Sequence, residues 1–516
     1  MRRTIVIDPV TRIEGHLKVE IALDNGIVVD AKSSGTLFRG IELILRGRDP
    51  RDAQRITQRI CGVCPSSHAT AAALALDNAF GISDMIPENA KTIRNLILGA
   101  DYISDHILHF YHLSALDYVD FLSVAKYNGK NVVLRSLKRF AQRGELAPFK
   151  PRYEGDYRLP EKENLKLVEH YVKALEMRRK AHQLFAIFGG KAPHNVGIVP
   201  GGVTQTPTID KITSFLWRLN ELRDFIDNTY IPDVILIAEN YPDYFEIGSG
   251  CRSWLSYGVF DLGNGDYTTR ERLFKQGVVS EDLTLQPLDL EKIEEEVKYS
   301  WYHDNHEKHP SKSDTKPERK REAYSWIKAP RYDGKPKEVG PLARILVNYT
   351  KKDSTTKEVV DAALGQLAKP LAAMYSVLGR HLARALETKI VADSMVDWVL
   401  NLKPGEPIYR EYEIPEKAEG YGLTDAVRGA LGHWIKIEKK KIANYQCVVP
   451  TTWNASPKDE KNQHGPIEQA LIGTEVEDEE NPFEIVRIVR SFDPCLACAV
   501  HMVTLDGKKL GEHLVP

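Results

Sequence analysis

The chain has 516 residues, 42% of them hydrophobic, and its 70 basic and 72 acidic residues leave a formal charge of -2. That hydrophobic share supports a large buried core and excludes a disordered chain; near-neutrality excludes a global field that would recruit nucleic acid or an anionic membrane. No apolar run reaches the roughly 18 residues of a membrane-spanning helix, and the opening "MRRTIVIDPVTRIEGH" lacks a signal-peptide apolar core and cleavage site. The chain therefore reads as soluble and not exported by a signal of its own, and its length sets a prior of about three domains.

In chain order, Leu17, Val19, Ile21 and Leu23 alternate with polar or small residues, Asp24-Asn25-Gly26 forms a turn, and Ile27, Val29 and Ala31 resume the alternation. This predicts a β-hairpin. The period then lengthens to three or four, predicting helices over 66–80, 92–119, 161–189, 209–229 and 356–401, punctuated by Gly and Pro. The charged stretch 288–323 is predicted to be an exposed loop, with His303, His306 and His309 solvated and not gathered on a metal. "GNGDYTTRE" from 263 follows no predicted strand and lacks a P-loop lysine, so it is not a phosphate loop. The expected fold is mainly α within an α+β class: a large helical core bundle with peripheral β-hairpins.

Four of the six cysteines lie in two C-x-x-C pairs, "RICGVCPSSH" at 59–68 and "DPCLACAVH" at 493–501. In a long chain without a secretory signal such pairs point to metal or redox chemistry. Pro65 suits the first position of a helix, and Asp493 and Pro494 suit the N-cap and first position of another. A helix N-terminus stabilises the thiolate, the form that binds metal. Side chains three apart on a helical turn lie about 5–6 Å apart, close enough to chelate one centre. A structural four-cysteine zinc site remains open, although Cys61 and Cys495 are 434 positions apart, far beyond a zinc ribbon. Four soft thiolates suit nickel or iron equally, and a site joining both termini would tie the chain into one unit. Cys251 and Cys447 are expected to be buried structural thiols.

These pairs belong to a longer series of motifs: "DPVTRIEGH" (8–16), "FRGIE" (38–42), "DHILHFYHL" (105–113), "VPGGV" (199–203), "EVGPLAR" (338–344), "RGALGHW" (428–434) and "VVPTTWN" (448–454). The series resembles the large subunit of nickel-iron hydrogenases, in family order over essentially the whole chain. The resemblance implies that family's fold as one domain over 1–501, with nickel on Cys61, Cys64, Cys495 and Cys498. Cys64 and Cys498 would bridge to an iron carrying carbon monoxide and cyanide. It implies that H2 is cleaved heterolytically, with Glu14 relaying protons from the terminal thiolate. Arg428 would stand over the open side of the metals, held by Asp105 and Asp493. His68 would hydrogen-bond near the Cys64 sulfur, and Thr451 and Arg428 would donate to the cyanides. Glu42, His501 and the Cys447 carbonyl would hold magnesium.

The resemblance also implies an iron-sulfur small subunit as partner, because two leftover cysteines cannot build an electron relay needing about four ligands per cluster. That subunit would carry any export signal, placing the enzyme on the periplasmic or outer face of a membrane beside a cytochrome; a cytoplasmic enzyme is the alternative. Residues 502–516, after His501, would be a propeptide removed by an endopeptidase once maturation factors have inserted the metals. Val427 departs from the proline common before the arginine, which alters the gas-facing pocket. Two other functions compete: a zinc-stapled binding protein, and a quinone-binding homologue that has lost its metals, against which the four cysteines argue.

Overall fold

The structure is a computed structural model that describes residues 3–144, 156–304 and 307–499. It opens on three antiparallel strands, β1 (Arg3–Ile7), β2 (Leu17–Asp24) and β3 (Ile27–Gly35), with β2 in the middle. β2 and β3 are the predicted hairpin, and Leu17, Val19, Ile21 and Leu23 all face the core. On β3 the predicted alternation fails: Ile27 and Val29 face solvent while Val28 and Ala31 are buried. The cause is a bulge, because Ala22 pairs with Asp30 but Leu23 pairs with Val28, leaving Val29 as an extra residue that switches faces.

The helical body contains α1 (Ile41–Leu45), α2 (Pro65–Ala79), α3 (Glu88–Leu108), α4 (Glu161–Gly189), α5 (Ile209–Phe225), α6 (Pro341–Thr350), α7 (Ser354–Gln366) and α8 (Val377–Leu400). α3 packs on α4 and α8, and α8 also packs on α5 and α6. The predicted helices at 92–119 and 209–229 continue past α3 and α5 as π-helical turns, His109–Ser114 and Ile226–Tyr230. The single helix predicted over 356–401 is two, α7 and α8. Pro370 has no N–H to donate and restricts Lys369 before it, and the Ser376 hydroxyl accepts from Gly379 N–H at 3.0 Å to start α8.

The stretch 288–323 is not the solvated loop expected. Its described residues include a strand, Ile293–Glu296, paired with Ala329–Tyr332, and Ile293, Glu295, Ser300, Ser313 and Thr315 are buried. His306 lies outside the described residues; His303 is exposed and His309 Nε2 donates to the Leu290 carbonyl at 3.1 Å.

An antiparallel sheet that the sequence pattern did not single out, β4 (Lys417–Ala426), β5 (Gly429–Glu438) and β6 (Lys441–Val448), follows the helices with β5 central. It packs against α2, where glycine and alanine permit unusually close approach. A Cβ on Gly422 would come within 2.2 Å of the Ala71 carbonyl, and one on Gly420 within 2.7 Å of that of Ala75. Ala426 pairs with Gly429, so Val427 and Arg428 form the two-residue turn between β4 and β5. That turn carries the arginine of "RGALGHW" into an ion pair with Asp105 on α3.

Candidate metal centre

Cys64 is the N-cap residue of α2, with Pro65 in the first turn as predicted. Its N–H and that of Val63 donate to Cys61 Sγ at 3.4 and 3.2 Å. At the other terminus Cys495 precedes a one-turn helix, Leu496–Ala499, that carries Cys498. Cys495 N–H donates to Thr451 Oγ1 at 3.0 Å, on the short helix Pro450–Asn454. The N-terminal segment holds this turn in place: Glu14 forms a parallel bridge with Cys495, and its carbonyl accepts from Leu496 N–H at 2.7 Å. Gly15 has φ 83°, and a Cβ there would lie 2.8 Å from Ala497 N, so a side chain would push the two segments apart. Arg39, inside "FRGIE", donates to the carbonyls of Ile60 and Ala497 and ties the two cysteine segments together. Its motif was visible in the sequence; its function as a tie was not.

The four sulfurs meet. Cys61 and Cys495 are 3.3 Å apart, Cys64 and Cys498 3.5 Å, Cys495 and Cys498 2.9 Å, and all four lie within 4.8 Å of one another. These separations exceed the roughly 2.05 Å of a disulfide and match the reach of one ion with metal–sulfur bonds of about 2.3 Å. Hydrogen bonds from the other three thiols hold Cys61 well below the ordinary thiol pKa, whereas burial pushes Cys495 above it and Cys498 up to about 11. Four thiolates this close together require a cation at the centre, and binding one releases the thiol protons. The donor set therefore fits a soft, thiolate-loving metal. No other such cluster of His, Cys, Asp or Glu occurs among the described residues.

Polar groups surround the sulfurs. Glu14 Oε2 lies 3.2 Å from Cys495 Sγ and accepts from Ala497 N–H at 2.9 Å, and burial raises its pKa above the ordinary carboxyl value. Arg428 Nη1 donates to Asp105 Oδ2 at 3.0 Å, Nη2 to Asp493 Oδ1 at 3.1 Å, and Nε to the Asp493 carbonyl at 3.1 Å. Burial alone would lower the Arg428 pKa, but Asp493 and Asp105 outweigh it and keep the group cationic. Burial pushes Asp105 up to about 7 against the pull of Arg428. Asp493 does not act as the predicted N-cap: its backbone is left-handed (φ 55°), the helix begins at Leu496, and the carboxylate faces Arg428.

His68, on α2, has Nδ1 3.3 Å from His433 Nε2, and His433 Nδ1 lies 2.8 Å from the Tyr445 hydroxyl. Burial lowers the His68 pKa to about 4, so the ring is neutral. Glu42, on α1, is buried; Oε1 accepts from Cys447 N–H at 2.8 Å and Oε2 from the Thr315 hydroxyl. Lys328 Nζ stands beside it, 2.8 Å from Glu295 Oε2 and 3.3 Å from Gln446 Oε1. His501 and residues 502–516 lie outside the described residues. Cys447 is buried as expected, whereas Cys251 is partly exposed, its Sγ donating to Ser253 C=O at 3.4 Å.

Four thiols from both termini, with an ion-paired arginine beside them and a buried carboxyl on one sulfur, define a metal-binding centre with a proton acceptor at its edge. Residues 39–501 match the nickel-dependent hydrogenase family, and residues 4–34 match a HoxL-like segment. The chain is 42% identical to the periplasmic [NiFeSe] hydrogenase large subunit of Desulfomicrobium baculatum, covering 99% of this chain and 97% of that one. It is 39% identical to the uptake hydrogenase large subunit of Bradyrhizobium diazoefficiens, again over 99% and 97%. The solved Ni-Fe-Se hydrogenase of D. vulgaris Hildenborough superposes with a TM-score of 0.85 at 44% identity, covering 97% of this chain and 100% of that one. The chain belongs to the nickel-dependent hydrogenase large-subunit family and is an oxidoreductase acting on H2. All four of its ligand positions are cysteine.

Proposed function

We propose that Cys61, Cys64, Cys495 and Cys498 would hold nickel, and that Cys64 and Cys498 would also hold an iron carrying carbon monoxide and cyanide. The observation that carries this reading is the convergence of four sulfurs from opposite termini beside an arginine fixed by two carboxylates. When bound, the metals supply redox chemistry and Lewis acidity for heterolytic cleavage of H2.

The chain's own residues then position H2 and move the proton. Arg428, buried and kept cationic by Asp493 and Asp105, polarises the molecule beside the metals. Glu14 receives the proton from Cys495 Sγ; the 3.2 Å contact supports this, and burial, which raises its pKa, makes it a better proton acceptor than an exposed carboxylate. Ala497 N–H, donating to Oε2 at 2.9 Å, keeps the carboxylate aimed at the sulfur. The Thr451 hydroxyl and Arg428 serve as donors to the cyanides, and His68, oriented through His433 and Tyr445, tunes the Cys64 sulfur. Glu42 holds magnesium with the Cys447 carbonyl and His501; its buried carboxylate oxygen is the hard donor such an ion takes.

The electrons leave to an iron-sulfur small subunit, since the described residues offer no second metal cluster for a relay. That several relatives are named large subunit or large chain supports this. A membrane cytochrome then receives them. Relatives named periplasmic and uptake support a place on the periplasmic or outer face of the membrane, reached with the small subunit; a cytoplasmic enzyme is the alternative, and no described helix is long and apolar enough to cross a membrane. Maturation factors load the metals into one domain, 1–501, and an endopeptidase then cleaves after His501, which intact mass of the active enzyme would reveal.

Infrared spectroscopy of the purified complex, paired with H2-dependent reduction of a redox dye, tests the reading. It predicts carbon monoxide and cyanide stretches together with dye reduction. Zinc in place of nickel, with no such bands, would return the site to a structural staple.

A further inference from the structure

The motif "EVGPLAR" at 338–344 has no part in the centre as described above, yet both of its ends press on the turn that carries Arg428. Arg344, fully buried on α6, grips Glu387 of α8 with Nε at 3.1 Å from each carboxylate oxygen and Nη2 at 2.7 Å from Oε1. The same guanidinium donates through Nη1 to the Ala426 carbonyl at 2.9 Å and through Nη2 to the Val427 carbonyl at 2.7 Å. Those two carbonyls immediately precede Arg428.

Glu387 reaches the other side of the arginine. Its Oε1 lies 3.3 Å from His106 Nε2, and His106 follows Asp105, whose carboxylate accepts from Arg428 Nη1 at 3.0 Å. Burial lowers the His106 pKa to about 4, so the neutral ring donates Nε2–H to the carboxylate. Burial would raise the Glu387 pKa, but Arg344 outweighs it and holds the group ionised. The contacts form a closed circuit: from the Val427 carbonyl to Arg344, Glu387 and His106, along α3 to Asp105, and back to Arg428.

Backbone contact removes the remaining slack. At the near end of the motif Gly340 has φ 132°, and a Cβ there would come within 3.2 Å of the Arg428 carbonyl. Gly429 has φ 128°, and a Cβ there would lie 2.5 Å from Gly340 N. The turn therefore has no room to move toward this motif. A buried Arg–Glu pair with both side chains fully enclosed is costly to desolvate and supplies directional register more than net stability.

We propose that Arg344, acting with Glu387, is a positioning residue that sets where the Arg428 guanidinium stands beside the four thiols. This inference rests on Arg428 acting in H2 cleavage. It is tested in the metal-loaded complex by a double-mutant cycle of Arg344→Met and Arg428→Lys, reading nickel and iron content, infrared bands and turnover per nickel. In the wild-type background Arg344→Met keeps metal content and band positions and cuts turnover per nickel about 10²-fold, the scale of a misplacement near 1 Å. In the Arg428→Lys background the same change costs less than about 2-fold, because residues acting through one another are not additive.

Equal losses in both backgrounds, or wild-type turnover in Arg344→Met, would overturn the inference while leaving the Arg428 reading intact. Wild-type turnover in Arg428→Lys alone would remove that reading and this inference with it. If Arg344→Met yields no loaded protein, Glu387→Gln replaces it in the cycle with the same expected and contrary outcomes, since it keeps the volume and loses the charge.

Discussion

The thiol centre and the Glu42 corner are both buried, and both gather donors from distant parts of the chain, yet they differ in how charge is balanced. At the corner the Lys328 ammonium is enclosed with the carboxylates, 2.8 Å from Glu295, and its pKa is raised: burial lowers it, but Glu295 and Glu42 outweigh that. At the centre Arg428, the cation whose field reaches the sulfurs, is already matched by Asp105 and Asp493. Four thiolates there have to draw their counter-charge from a metal. The difference teaches that the corner carries a protein cation of its own beside the magnesium Glu42 would hold, whereas the centre is built incomplete.

The largest effect should follow from breaking the incomplete site. Cys495→Ser replaces a soft donor with a hard hydroxyl that stays protonated, and nickel content and H2 oxidation should both fall to background in metal analysis and dye assays. Retention of nickel with normal turnover would erase the contrast. Next, Arg428→Lys should leave nickel near the wild-type level and lower turnover about 10²–10³-fold, because an ammonium cannot span Asp105 and Asp493 with a planar fork.

At the corner the expected effect is on stability. Lys328→Met leaves Glu295 buried without its ion-pair partner, and denaturant unfolding should show a loss of about 3–5 kcal/mol. An unchanged midpoint would mean that the corner does not depend on Lys328. The smallest effect concerns His112, away from both sites, whose pKa burial lowers to about 4 while Nε2 donates to the Tyr171 carbonyl at 3.2 Å. The unfolded chain binds this proton near pH 6.5 and the folded one does not, so the stability is present above 6.5 and lost as pH falls toward 4. His112→Gln should flatten the fall in melting temperature between those values; an unaltered slope would discount the residue.

Legibility in the sequence followed the physics of each element. The faces of β2 were readable because one side is buried and the other wet, and those of β3 were lost at a bulge that no composition marks. β4 to β6 escaped notice because β5 is buried on both faces, which erases alternation. The spacing of the cysteine pairs pointed to metal or redox chemistry, but which metal, and any role for Glu14, Asp105 or Arg428, came only through resemblance to a family. Asp493-Pro494 satisfies the rule for a helix start, and the structure uses the aspartate to hold an arginine 65 positions away. Arg344 was visible only as the last letter of a motif, since a buried arginine reads as surface charge until its partners on other helices are known.

Nickel-edge X-ray absorption on the purified, active complex probes the convergence of the termini most directly. The account predicts a nickel first shell dominated by sulfur in the wild type, with one sulfur fewer or no bound nickel in Cys495→Ser. A shell of nitrogen and oxygen, or a sulfur count unchanged by that substitution, would contradict it.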